Sequence, residues 1–333
     1  MNTNNLATYV HGFLQDHLIL QKGYSQHTIR SYRDTIKIFL TFSATCKKKS
    51  ITELVLTDLT QNMVVRFLDH LERKRNNSAQ TRNIRLACIH SFFSYIANQD
   101  PLLLESCQSI LSIPFKRTPI PTVEYLEKEE MKVILEAVDR SSLDGLRDYT
   151  LLFFMYNTGA RVGEVITLHT RALQLERPLH VRITGKGMKT RMCPLWPETV
   201  SLLRALLKER SVDPAGDAPV FVNHRGESLT GYGIRYLINK YVKIASKNCP
   251  SLEGKHIHPH TIRHSTAMAL LQSGVDINTI RAWLGHTNLE TTNHYAEINL
   301  EMKRKVLDNY LPISKTKRPW KQNKNLLQWL ESL

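Results

Sequence analysis

No stretch of the sequence approaches the roughly eighteen consecutive apolar residues that a membrane-spanning helix needs, so no span is expected. The N-terminus, MNTNNLATYVHGF, lacks a basic start followed by an apolar core and does not read as a secretory signal. Cysteine is scarce and unpatterned. The five residues, Cys46, Cys88, Cys107, Cys193 and Cys249, are odd in number and scattered, with no C-x-x-C. A disulfide framework is excluded, and reduced thiols in a cytoplasmic compartment are expected. No internal repeat is visible. Acidic charge is also short: 30 Asp and Glu face 45 Lys and Arg, for a formal charge of +15. The surplus is uneven. Residues 1–117 hold fifteen basic against eight acidic side chains, residues 118–313 twenty-five against twenty-one, and the last twenty residues five against one. A basic excess concentrated in the first third and the tail suits binding to a phosphate backbone.

What is present suffices for two ordinary domains, with 333 residues of which 42% are hydrophobic. Residues 1–111 read as helical throughout. Apolar residues recur at helical spacing over 6–20. A second helix opens at Ser25, a good N-cap, with the stripe Ile29, Tyr32, Ile36, Phe39 and Leu40. Lys47-Lys48-Lys49 reads as a solvated loop. A third helix covers 60–74. Ser78 caps a fourth over 79–97, whose core face is Leu86, Ile89, Phe92, Phe93 and Ile96. Residues 112–121 carry three prolines and a basic pair, which predicts an extended linker able to lie along a duplex. Helices follow from Tyr125 to Arg161, then strands around Gly185, a helix over 198–210, a short strand at 219–223 and a helix over 232–245.

The residues with chemical potential gather in 256–295, HIHPHTIRHSTAMALLQSGVDINTIRAWLGHTNLETTNHY, which holds six of the fourteen histidines. A helix over 261–273 would be stopped by Gly274, with Ile262, Ala269 and Leu270 available to the core. A second, over 277–284, would be stopped by Gly285. A third begins near Asn288. These elements carry His260-x-x-Arg263, then Leu284-Gly285-His286, then Tyr295 nine positions on. Upstream lie Thr158-Gly159-Ala160-Arg161-Val162-Gly163-Glu164, after an apolar run, and Gly185-Lys186-Gly187-Met188-Lys189-Thr190-Arg191-Met192-Cys193-Pro194-Leu195, a glycine-rich turn between alternating strands.

Each piece alone is commonplace: an arginine after a glycine is usually a surface residue, and a Gly-Lys-Gly turn is usually only a turn. The ordered set resembles the tyrosine recombinases, the phage-integrase-type site-specific recombinases, in their compact two-domain Xer-like form. The resemblance covers T-G-x-R-x-x-E, G-K-G-x-K-x-R-x-x-P-L, H-x-x-R, L-G-H and the tyrosine. Gly163 departs from it, standing where serine is frequent, and so does the long tail after Pro312. The implied fold is mainly α with a small antiparallel β-sheet: a helical, SAM-like core-binding domain (1–111), the linker (112–121), an α/β catalytic domain (122–313), and a tail (314–333) with a basic run and an amphipathic helix.

The resemblance implies strand cutting and rejoining through a covalent 3′-phosphotyrosine and a Holliday junction, with Tyr295 as nucleophile. A phenol is a weak nucleophile near neutrality and needs a base or an electropositive setting. Arg161 and Arg263 would clamp the phosphate, because guanidiniums bind it bidentately and stay charged. His286 would hydrogen-bond a phosphate oxygen, His260 would assist the phenol, and Lys186 would protonate the leaving 5′-oxygen. Glu164 would buttress Arg161 or Arg263. No metal or cofactor is implied, since strand transfer keeps the phosphodiester energy. Expected DNA contacts are Ser25, Thr28, Ser78, Thr81, Arg82 and Arg85 at two helix starts, where backbone N–H groups face phosphate, and Lys189 and Arg191 on the hairpin. The implied partners are double-stranded DNA with an inverted-repeat core site, three further copies forming a tetramer on two duplexes, and a partner recombinase in some systems. A cytoplasmic place at the bacterial nucleoid follows.

Two other readings compete. His260-x-x-x-His264 has metal-ligand spacing on a helix, but Thr261 stands where a zinc protease would carry glutamate. A DNA-binding regulator without catalysis would not need all six catalytic positions filled. The type IB topoisomerases use the same chemistry, but the helical N-terminal clamp and the spacing from Leu284-Gly285-His286 to Tyr295 favour a recombinase.

Overall fold

The computed structural model describes residues 6–118 and 124–285. His286, Tyr295 and the tail expected at 314–333 lie outside the described residues, as does the helix expected near Asn288. The chain divides into two compact units, residues 1–121 and 122–333, each with its own core.

The first unit is helical. Helix α1 (Leu6–Gly12) runs on into a π-helical stretch, Phe13–Gln21, where a regular α-helix was expected. Helix α2 (Gln26–Lys47) starts where Ser25 accepts from the Thr28 N–H, and α4 (Ala79–Gln99) starts in the same way at Ser78 and Thr81. Between them α3 (Gln61–Arg73) is capped by Thr60 and buries Met63, Val64, Phe67, Leu68 and Leu71 on one face. The core is mostly aliphatic with phenylalanines packed through it, Phe39 on Phe67 at 5.1 Å and Phe13 on Phe92 at 5.3 Å between ring centroids. Each such fully buried ring is worth roughly 1.5–3 kcal/mol over exposure. Helix α5 (Leu104–Leu111) was not individually placed within the stretch read as helical. It follows a 3-10 turn, Pro101–Leu103, and its Cys107 and Ile110 seal the core. The start of the expected linker is fastened to this unit. Ile113 is buried, Arg82 donates to the Pro114 carbonyl, Asn83 exchanges two hydrogen bonds with the Lys116 backbone, and Lys116 pairs with Glu72 at 2.7 Å.

In the second unit, α6 (Lys128–Glu136), α7 (Leu143–Thr158) and the short α8 (Val162–Ile166) precede a three-stranded antiparallel sheet in the order β1 (Leu173–Gln174), β2 (His180–Thr184), β3 (Thr190–Pro194). The β2–β3 register pairs Val181 with Cys193 and Ile183 with Arg191. Then come α9 (Pro197–Glu209), α10 (Gly231–Ala245), α11 (Pro259–Gln272) and α12 (Ile277–Leu284). The strand expected at 219–223 does not form. Pro219 and Val222 make only isolated bridges, to His169 and Ser228, while Val220 and Phe221 are buried. Helix α11 is buried nearly all round: Ile262, Ala267, Met268 and Leu271 face the interior, and Ala269 and Leu270, expected inside, are only partly covered.

Candidate active site

The site begins at the end of α7. Gly159 closes that helix in the left-handed conformation, φ 60°, which glycine adopts at no steric cost. A Cβ there would lie 2.5 Å from Leu284 Cδ2, so the same glycine also lets the end of α12 approach. Two residues on, Arg161 is the N-cap of α8. Its backbone N–H donates to Glu164 Oε2 at 2.8 Å and its Nη1 to Oε1 at 3.0 Å. Glu164 therefore buttresses Arg161. It does not hold Arg263, whose buried guanidinium (3% exposed) donates to the carbonyls of Gly159 and Leu284. One glycine thus links the two arginines: its carbonyl fixes Arg263, and its turn sets the direction of Arg161.

The β2–β3 hairpin closes through Gly185 N–H to the Lys189 carbonyl at 2.8 Å, with Gly187 and Met188 both at positive φ. Lys186 opens this turn. A Cβ at Gly185 would come within 2.8 Å of Glu164 Oε1, so the base of the Lys186 turn packs directly on the carboxylate that holds Arg161. Burial works to raise the Glu164 carboxyl. The hydrogen bonds from Arg191 and the two guanidinium charges outweigh it, and the group lies below the ordinary carboxylate range. Cys193 is no rival nucleophile, because burial pushes its thiol up to about 12.

His260 stands one turn before Arg263, with the His258 ring 6.0 Å away, edge to face. Solvent reaches its ring, but surrounding protein atoms and the charges of His258, Arg263, Arg161 and Arg235 lower its pKa. Lying on α11 one turn before Arg263, His260 feels the positive charge of both arginines. Helix α12 ends at Leu284, and Gly285 caps it at φ 66°, immediately before the position of His286. Among the described residues, Arg161, Arg263, His260 and the Lys186 turn come together. Among those same residues, no three metal-ligating side chains cluster.

The phage integrase family model matches residues 124–302, and the model for the phage integrase N-terminal SAM-like domain matches residues 11–100. The chain belongs to the phage integrase family. It is a tyrosine recombinase of the compact Xer-like type, an enzyme that breaks and rejoins DNA. Among similar proteins, y4rC of Sinorhizobium fredii, an integrase/recombinase by name, is 39% identical over 99% of this chain and 98% of its own length. Tyrosine recombinase XerC of Bacillus pumilus is 30% identical over 92% of this chain and 97% of its own. The crystal structure of XerH bound to difH substrate, a pre-cleavage complex, is 25% identical with a TM-score of 0.64, over 84% of this chain and 80% of that one.

The expected DNA contacts of the recombinase separate in the structure. Ser25 and Thr28, and likewise Ser78 and Thr81, sit at the exposed starts of α2 and α4, where each serine accepts the threonine N–H. Lys189 is exposed. Arg82, Arg85 and Arg191 turn inward instead. Arg82 is 7% exposed and donates to Asn83 and the Pro114 carbonyl, and Arg85 donates to Thr35 on α2. Arg191 bonds to Glu164 and to the Trp283 carbonyl.

The outer face of α10 was missed at the sequence level. Tyr232 (81% exposed), Arg235, Tyr236 (61%), Asn239 and Lys243 recur at helical spacing, while Ile234, Leu237, Ile238 and Tyr241 face the core. Tyr241 anchors the helix by donating to Asp148 at 2.7 Å. Tyr232, Arg235, Asn239 and Lys243 line an open cleft of about 810 Å³ with His256, His258 and His260. Exposed tyrosines interleaved with basic residues on one helical face were the available signal.

Proposed function

We propose that Tyr295 attacks a phosphodiester of double-stranded DNA, forming a 3′-phosphotyrosine and releasing a 5′-hydroxyl, and that a 5′-hydroxyl from a second strand reverses the step to join new partners. Arg161 and Arg263 hold the non-bridging oxygens, and His286 donates to one of them. His260 takes the phenol proton, and Lys186 gives a proton to the leaving 5′-oxygen. The phosphoester bond is exchanged rather than hydrolysed, so no external energy source enters. The observation that carries this reading is the shared Gly159 turn: its carbonyl accepts from Arg263, and Arg161 follows two residues on, paired with the Glu164 carboxylate that packs on the base of the Lys186 hairpin. Inverted-repeat core sites, a tetramer on two duplexes, a partner recombinase in some settings and action at the bacterial nucleoid belong to the same reading.

A nicked suicide duplex, which traps covalent protein–DNA adducts, tests it. Tyr295→Phe should bind the duplex and form no adduct; protein-linked 3′-phosphate from that variant would pass the assignment to Tyr310. Lys186→Ala should slow cleavage by about a hundredfold. A 5′-bridging phosphorothioate, whose leaving group needs no proton, should rescue Lys186→Ala but not Arg161→Ala. Equal rescue of both variants would move the general acid elsewhere.

A further inference from the structure

We propose that Arg191 is a positioning residue for strand cleavage, a strut that fixes the Lys186 hairpin, Arg161 and the end of α12 relative to one another. The proposal rests on the catalytic reading above and deepens it. Arg191 lies on β3, opposite Ile183. Its Nη1 and Nη2 donate to the two oxygens of Glu164 at 2.9 and 2.8 Å, and its Nε donates to the Trp283 carbonyl at 2.8 Å. Both side chains are withdrawn from water, 10% and 4% exposed.

The same Glu164 oxygens receive the Arg161 N–H and Nη1, so one carboxylate joins the two guanidiniums. At the other end of the strut a Cβ on Gly285 would lie 3.1 Å from Arg191 Cδ, so the turn leading to His286 rests on the arginine side chain. Three parts that the chemistry must align therefore meet at one planar group. Lysine cannot replace it, because a single ammonium cannot make a two-pronged bond to a carboxylate and also donate along a third fixed direction.

The test uses the full-length chain and a nicked duplex carrying the sequence that the wild-type protein traps covalently. Loss of one partner from a buried ion pair is strongly destabilising. The main variant is therefore Arg191→Lys, which keeps the charge, with the double change Arg191→Gln, Glu164→Gln beside it. Arg191→Lys should bind the duplex within about twofold of wild type and form adduct about tenfold to a hundredfold more slowly, the scale of a misplaced reacting group. In the DNA-free protein, hydrogen exchange should rise together in 184–190 and 277–285 while α3 keeps its protection. The double variant should show the same paired rise.

Adduct formation by Arg191→Lys within about twofold of the wild-type rate would overturn the proposal. So would a loss of binding as large as the loss of cleavage, which would make Arg191 a DNA contact, or faster exchange in only one of the two segments. A wild-type chain that forms no adduct would sink the recombinase chemistry instead; the exchange pattern would still decide whether Arg191 ties the two segments.

Discussion

His260 shows how neighbours set a single side chain's chemistry. Burial comes first, and the positive charges of His258, Arg263, Arg161 and Arg235 follow; all disfavour imidazolium, so its pKa falls below the ordinary 6.5. A lowered pKa means the ring keeps its proton-accepting form further into acid than a free imidazole does. If His260 accepts the Tyr295 proton, cleavage should fall only as pH drops through a value below 6.5. Single-turnover cleavage from pH 5 to 8 checks this, and His260→Gln should lose that limb. An unchanged acid limb in the variant would assign it to another group. Arg161, His260 and Arg263 were picked out by the resemblance of their motifs to those of the family, and phosphate chemistry suits those residue types. The second partner of Glu164 was not: Arg191 is 27 positions away, and only the hairpin register turns it toward α8 rather than toward solvent.

Helix starts and the core face of α4 were legible; the direction of polar side chains was not. Ser25 and Ser78 cap α2 and α4 as their sequences suggest, since an N-cap is a local bond between residues three apart. Which way Arg82 and Arg85 point depends on α2 and on the segment after α5, which no local pattern reveals. This inward turn has a measurable consequence. Lys189→Ala should reduce the salt dependence of DNA binding by about one unit of slope if the exposed amine neutralises a phosphate. Arg82→Ala should lower the stability of the first unit by about 1–3 kcal/mol, leaving the salt slope unchanged. Binding titrations across salt concentrations and denaturant melts separate the two; a salt slope that falls for Arg82→Ala would return that residue to the DNA. Helix α11 teaches the same lesson. Buried on almost every side, it shows no clean stripe, and an amphipathic reading finds Ile262 but puts Ala269 and Leu270 inside, where they are only partly covered.

For the molecule as a whole, two separate cores and an uneven basic surplus suit a protein that engages DNA through two modules. The tail sequence bears on assembly. Spaced at i, i+3, i+4 and i+7, Leu326, Trp329, Leu330 and Leu333 would share one face of a helix, and eight residues cannot hold a helix alone in water. Docking of this face on a neighbouring protomer would link copies during synapsis. Truncation after Ser314 should leave binding to a single site near normal while synapsis or recombination of paired sites is lost, as read by gel shift and by product formation. Full-rate recombination by the truncated chain would exclude docking in trans.

The family could be read from the resemblance of an ordered motif set between Thr158 and Tyr295, and many helix ends from caps and glycine stops encoded within a few neighbouring positions. The end of α12 against Gly159, the seat of Arg263 between two carbonyls and the turning of Arg82, Arg85 and Arg191 into the protein could not. These depend on surfaces brought together from distant parts of the chain. There, the cost of leaving a guanidinium or a carbonyl unpaired in a dry interior decides which way a side chain points.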